Sequence, residues 1–278
     1  MFSKNQKVDR LLTFNLPVAL MLIWTVFPIY WTLNTAFKPE GDIIKTPVQY
    51  FPENFTFANF INAWENVGFD IYFKNSIIVG LGTVIFTVIL SILAGYALAR
   101  YDFKGKRLFM MTLLGTQFIP RPMLVIPLFL IFSKLGLISN LLSLVLIYTT
   151  VQVPFNAILM SGFIAGIPKD LEEAASIDGA TRFQSLTRVI APLLLPGIVA
   201  TSINIFVYAW NEFLLALMLI NQQSVFTLPV GLSFMMGAFN IHYGALAAGS
   251  IIALIPSIFL FSFAQKHLVN GMGGAVKG

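Results

Sequence analysis

Arg121 stands between Pro120 and Pro122 inside Leu108 to Phe132, a run with no other charged residue. A charged side chain near the middle of a membrane span costs about 2.5–3.5 kcal/mol on insertion scales. Three roles fit such a residue. It can satisfy backbone carbonyls freed where the prolines break a helix. It can face a polar cavity and hydrogen-bond a solute, or pair with an acidic group on it. It can also lie at the mouth of a span that ends early. Its polar companions on other apolar runs are Gln152, Asn156, Asn211 and Glu212, with Glu212 the obvious counter-charge. Other chemistry is sparse. There is no cysteine, and His242 and His267 are the only imidazoles, so no metal site is expected. Serine, histidine and aspartate are not arranged for nucleophilic catalysis. No Gly-x-x-x-x-Gly-Lys-Ser/Thr phosphate loop occurs; Lys106 is followed by Arg107.

A second constellation lies in the polar stretch Ile167 to Val189. Pro168 suits a first helical position, and Asp170, Glu172 and Glu173 sit where a helix dipole favours negative charge. Gly179 suits a helix C-terminus, and Thr181 with Gln184 forms a capping-box pattern that opens a second short helix. Pro192 and Pro196 then restart an apolar run. The chemistry describes helix, sharp glycine turn, helix. Leu171, Ala174 and Ala175 make a weak apolar face for a membrane surface, so this elbow is read as a grip for a protein partner.

The elements that must carry these residues are membrane helices. Apolar residues make up 57% of the chain and charged residues 10%, against about a quarter charged in a soluble domain. Runs long enough to span occur at Leu11 to Phe37, Asn75 to Ala99, Ser139 to Gly166, Leu193 to Asn211 and Ala245 to Gln265, with Leu108 to Phe132 a sixth that should kink at its prolines. The N-terminal run exceeds signal-peptide length and is read as a retained span. Twelve of the 17 Lys and Arg residues fall on one set of non-spanning segments. That places both termini in the cytoplasm. The expected fold is an all-α integral membrane protein of about six transmembrane helices with a cytoplasmic two-helix elbow. Residues 1–70 hold the N-terminal tail, first span and an external loop with a short helix at Phe57, Phe60 and Trp64. Residues 71–265 form the core, with the elbow at 167–192. Residues 266–278 form a glycine-rich cytoplasmic tail, and the last external loop runs from about Ile220 to Tyr243.

Glu173-Ala174-Ala175, three residues, Gly179, nine residues, then Val189-Ile190-Ala191-Pro192 resembles the motif of binding-protein-dependent ABC importer permeases, with Val189 and Ala191 in place of the usual isoleucine and leucine. Lys38-Pro39, Asn75-Ser76, Trp210-Asn211-Glu212-Phe213, Thr227-Leu228-Pro229-Val230-Gly231 and the closing Gly274-Ala275-Val276-Lys277-Gly278 are similar to the sugar branch of that family. Within it, the maltose and multiple-sugar type is the nearest likeness. The resemblance implies a subunit of a bacterial or archaeal cytoplasmic membrane complex that moves sugar by alternating access. Its partners would be a homologous second permease, two ATPases that hold ATP and Mg, and an extracytoplasmic solute-binding protein. This chain would carry no cofactor of its own and bind no nucleic acid. Glu172, Glu173, Ala174, Ala175, Asp178, Gly179 and Pro192 are then implied to couple to the ATPase. Gly271, Gly274, Lys277 and Gly278 would contact the ATPase through the tail. Ser233, Asn240 and Tyr243 would lie on the loop that meets the binding protein. A secondary transporter would instead need intramembrane ionisable groups around repeated halves, and no such halves are evident.

Overall fold

The computed structural model describes residues 11–236 and 241–273. Among them the chain is helical, with turns and one isolated antiparallel bridge between Met236 and Ile241. Four helices are long and apolar enough to cross a membrane: Leu12–Ala36, Phe69–Arg100, Leu141–Ala165 and Tyr243–Ser262. Two bent pairs also qualify, Lys106–Phe118 with Arg121–Lys134 and Arg182–Leu193 with Leu195–Asn211, which makes up to six spans.

The chain divides into two compact units. The first comprises Met1–Asp70 with Leu232–Ile255. Its Leu16–Ala36 helix is exposed along most of its length, and Asn34 and Ala36 near the end are buried. The exit is fastened by Asn59, whose amide donates to the carbonyls of Ala36 (2.9 Å) and Lys38 (2.7 Å). Phe37 stacks on Phe55 at 4.4 Å and meets Phe57 and Phe60. The short helix expected here occupies Ala58–Ile61 and continues as a wider turn to Asn66. Ala36, Ala63, Ala245, Ala247 and Ala248 form the small-residue core of this unit.

The second unit comprises Ile71–Gly231 with Pro256–Gly278. The Phe69–Arg100 helix packs closely on Leu141–Ala165. A Cβ built on Gly95 would fall 2.8 Å from the Met160 Cβ, 2.9 Å from the Ser161 nitrogen and 3.0 Å from the Ala157 carbonyl oxygen. Small residues permit such approach where lipid supplies no hydrophobic drive for helix association. The expected break of the third span is a 98° bend between Phe118 and Arg121. Ile119 and Pro120 are extended there, as the missing proline N–H and the steric demand of a following proline require.

Four boundaries differ from the sequence reading. The second helix begins at Phe69 rather than Asn75, because aromatic and amphipathic residues extend it beyond the uncharged run. A six-residue helix, Leu214–Leu219, follows Glu212. The segment read as a loop from Ile220 to Tyr243 contains the helix Leu228–Met235, with Leu228, Val230 and Gly231 buried. Its Thr227-Leu228-Pro229 start places proline at a tolerated early helical position. The last helix runs to Gly273, so part of the stretch read as tail is helical.

The Gly95 contact leads to a stability prediction. Gly95→Val drives a branched side chain into backbone and should destabilise the protein by about 1–3 kcal/mol. Gly162→Ala, at a helical position open on all sides, should be neutral or stabilising. Thermal unfolding in detergent would show a lower midpoint for the first variant alone.

Candidate functional site

The elbow forms from local rules. The helix Asp170–Ile177 carries Asp170, Glu172 and Glu173 in its first turn. It ends in a Schellman closure: the Gly179 N–H donates to the Ser176 carbonyl (3.1 Å) and the Ala180 N–H to the Ala175 carbonyl (2.9 Å). Gly179 has φ +83, and a Cβ there would meet nothing within 4 Å. Backbone conformation, not space, is therefore what requires glycine. The Thr181 capping box is complete, with Gln184 N–H donating to the Thr181 hydroxyl (3.3 Å) and Thr181 N–H to the Gln184 side chain (2.8 Å). The second elbow helix, Arg182–Leu193, then meets Leu195–Asn211 at a bend of 78°.

The two adjacent glutamates have different situations. Glu172 turns inward. Its carboxylate pairs with the Arg100 guanidinium and accepts from the Tyr96 hydroxyl at 2.7 Å. Arg100 also donates to the Ile167 carbonyl at 2.9 Å. Beneath this latch lies an apolar cluster of Ile164, Leu186, Ile190 and Leu194, with Ile92, Tyr96 and Ala99 packed on it. Glu173 points outward, exposed, and its carboxylate has no partner among the described residues. Ala174 and Asp178 are exposed and Ala175 is half-buried; Pro192 is exposed in the second helix. A cavity of about 380 Å³ opens between the latch and the elbow, lined among others by Tyr101, Lys169, Glu173 and Arg182. The Arg182 guanidinium lies 5.1 Å over the Tyr101 ring. Ile177 is 87% exposed and Phe183 67%, so the elbow presents bare apolar side chains beside an unpaired carboxylate. That surface suits a protein partner.

The intramembrane polar residues do not converge as one group. Glu212 is buried and committed. It accepts from the Tyr148 hydroxyl (2.7 Å) and from the N–H groups of Leu215 (2.9 Å) and Ala216 (3.1 Å), fastening the start of the Leu214–Leu219 helix. Arg121, at the start of its helix and exposed, lies 4.7 Å over the Tyr208 ring. Neither the Glu212 counter-charge nor a freed carbonyl is its partner among the described residues. Tyr208 in turn meets the Tyr148 ring edge-on at 5.8 Å, so aromatic rings stand between the two charges. Asn156 donates to the Gln152 carbonyl at 2.8 Å, and its own buried carbonyl oxygen lacks a partner among the described residues. Asn211 is exposed and donates to the Val207 carbonyl at 2.8 Å.

Comparison with known proteins places the chain. Residues 87–274, more than half of it, match the family described as binding-protein-dependent transport system inner membrane component. The chain belongs to that family. The diacetylchitobiose uptake system permease protein DasC of Streptomyces coelicolor is 39% identical over 265 residues, covering 95% of this chain and 96% of that one. The trehalose transport system permease protein SugB of Mycobacterium tuberculosis is 36% identical over 262 residues, covering 93% and 94%. In fold, this permease is similar to a chain in the crystal structure of a bacterial ABC transporter involved in the import of the acidic polysaccharide alginate. The TM-score is 0.84 at 21% identity, over 96% of this chain and 98% of that chain.

For the remaining expected site residues of this permease, the structure places Ser233 inside the Leu228–Met235 helix and Tyr243 at the first position of the last helix. Gly271 lies in the final turn of that helix. Asn240, Gly274, Lys277 and Gly278 lie outside the described residues. Sequence reasoning overlooked Tyr96, Arg100, Ile177 and Phe183. Arg100 carried a signal, since a cation in the last turn of a long apolar helix complements the helix dipole and marks where that helix ends. Ile177 sits immediately before the Asp178-Gly179 turn, where an apolar residue draws no notice.

Glu212 generates the prediction here. Tyr148→Phe removes one charged hydrogen bond in a buried site and should cost about 1.5–3 kcal/mol of stability. Arg121→Gln and Tyr208→Leu should each remove the cation–ring contact and depress transport to a similar extent. A protein in which Tyr148→Phe leaves the unfolding midpoint in place would show that Glu212 is held by the two backbone N–H groups alone.

Proposed function

We propose that this permease is one of two homologous membrane subunits of an ATP-driven importer for a sugar or oligosaccharide in the cytoplasmic membrane. The observation that carries the reading is the elbow: a Schellman-closed turn at Gly179, braced from behind by Glu172 and Arg100, that exposes Glu173, Ile177 and Phe183. Sugar as the class of solute is supported by the relatives that carry sugars in their names. Both termini and the elbow face the cytoplasm in this reading, in keeping with the Lys and Arg distribution.

Two ATPase chains bind ATP and Mg and supply the energy, and this chain has no catalytic role. Closure of the ATPase pair pulls on the elbow through Glu173, Ala174, Ala175, Asp178 and Gly179, with Pro192 holding the second helix. The spans rock to open outward, an extracytoplasmic binding protein delivers sugar, and hydrolysis resets them inward. Such coupling requires contacts that differ between the two states. The glycine-rich tail with Gly271, Gly274, Lys277 and Gly278 adds a second ATPase contact. The segment from Ser233 through Asn240 to Tyr243 meets the binding protein. Arg121, Gln152, Asn156 and Asn211 are the candidates for the solute path, and Glu212 holds the frame around it.

The elbow is tested at Gly179. A left-handed conformation costs an ordinary L-residue about 1–2 kcal/mol, while asparagine tolerates it. Gly179→Val should lose nearly all ATP-dependent uptake of labelled disaccharides while the permease still inserts, and Gly179→Asn should retain a substantial share. Normal uptake by the valine variant, or uptake driven by an imposed ion gradient without ATP, would overturn the reading.

A further inference from the structure

The Phe69–Arg100 helix is fastened at both ends to segments that belong to opposite ends of the proposed machine. At one end the latch of Tyr96 and Arg100 holds Glu172 of the elbow, and Arg100 also holds the Ile167 carbonyl. The latch is sheltered: the Arg100 side chain is 8% exposed and that of Glu172 15%. At the other end the Asn75 amide donates to the carbonyls of Ser224 (3.1 Å) and Phe226 (3.0 Å). The neighbouring Ser76 hydroxyl accepts from the Leu228 N–H (2.8 Å), and the Tyr72 hydroxyl from the Gln223 side chain (2.8 Å). Asn75 and Ser76 are buried. Segment 223–228 leads directly into the helix that carries Ser233.

Arg100 follows Asn75 by 25 positions, a rise of about 38 Å at 1.5 Å per residue. Of the four unbroken candidate spans among the described residues, this one lacks an internal proline, and the others hold Pro28, Pro154 and Pro256. Proline is the usual cause of a sharp helix kink, so this helix lacks the commonest device for absorbing displacement along its axis.

The geometry points to the Phe69–Arg100 helix as a push rod that carries elbow movement to segment 223–228 on the other side of the membrane, with Tyr96, Arg100 and Glu172 as positioning residues at its driven end. The inference rests on the elbow acting as the ATPase grip. It adds a second route to the one through the chain itself, since the elbow is covalently continuous only with the Leu141–Ala165 and Leu195–Asn211 helices. The latch bonds are side-chain bonds across 67 to 76 residues of sequence and can be cut without touching the elbow backbone.

The chain has no cysteine, so Ser224→Cys places a single reporter thiol at an exposed position on the driven segment. The probe is a membrane-impermeant maleimide, applied to the assembled complex with and without ATP, Mg and vanadate. Trapping should change the labelling rate about fivefold or more, within the range of allosteric coupling energies. Adding Glu172→Gln or Tyr96→Phe should reduce that change to about twofold or less if the latch carries the coupling. Tyr96→Phe keeps the ring in the apolar cluster, so it decides the matter should Glu172→Gln fail to assemble. A thiol that never responds to trapping, or responds fully with the latch cut, overturns the push rod. Gly179→Val separates the two readings. A response lost there but intact in Tyr96→Phe removes only the rod, whereas a response that survives Gly179→Val removes the elbow reading beneath it.

Discussion

Hydrocarbon cannot hydrogen-bond a peptide group, so a chain in a bilayer can interrupt a helix only where something else satisfies the freed backbone. Several interruptions in this permease have such a device. Glu212 accepts from two N–H groups at the start of Leu214–Leu219. Ser76 accepts from the Leu228 N–H and Asn75 supplies donors to two carbonyls just before it. Asn59 serves the carbonyls at the end of the first long helix, and the Asn140 side chain accepts from the Leu142 N–H at the start of another. The buried Asn59, Asn75, Ser76 and Glu212 are therefore joints of the frame, and the frame is what brings the elbow and segment 223–228 to the two ends of one helix.

This explains which parts of the structure were readable from sequence. Helix existence was legible because apolar length is a one-dimensional property. The break at Pro120 and the turn at Gly179 were legible because proline and glycine act through their own backbone, without regard to what is nearby. The capping box at Thr181 is likewise local. What could not be read was partnership across sequence distance. Glu212 looked like a counter-charge for Arg121 because both are ionisable and both lie in apolar runs. In the folded chain Glu212 serves the two N–H groups that follow it, and Tyr148 and Tyr208 occupy the space between the charges.

Glu172 and Glu173 show the same limit at one residue's spacing. Neighbours on a helix point about 100° apart, so one faces the Arg100 latch and the other faces outward. The family motif names the outward one. Its neighbour looks equivalent in a string of letters, and only the position of Arg100 at the end of a distant helix distinguishes them. Leu228–Met235 was missed for a related reason: eight residues with proline and glycine read as a loop until burial against a neighbour holds them helical.

The length of the Phe69–Arg100 helix has a consequence for the surrounding lipid. The uncharged part between Lys74 and Arg100 covers 25 residues, about 37 Å, against a hydrocarbon core of about 30 Å. The helix must lean, or the bilayer must thicken around it. A lean is set by the fastenings at its two ends as much as by the lipid. Acyl-chain length is thus a mechanical setting of this protein, since a thicker or thinner bilayer tilts the same helix and strains the joints that hold it at Asn75 and Arg100.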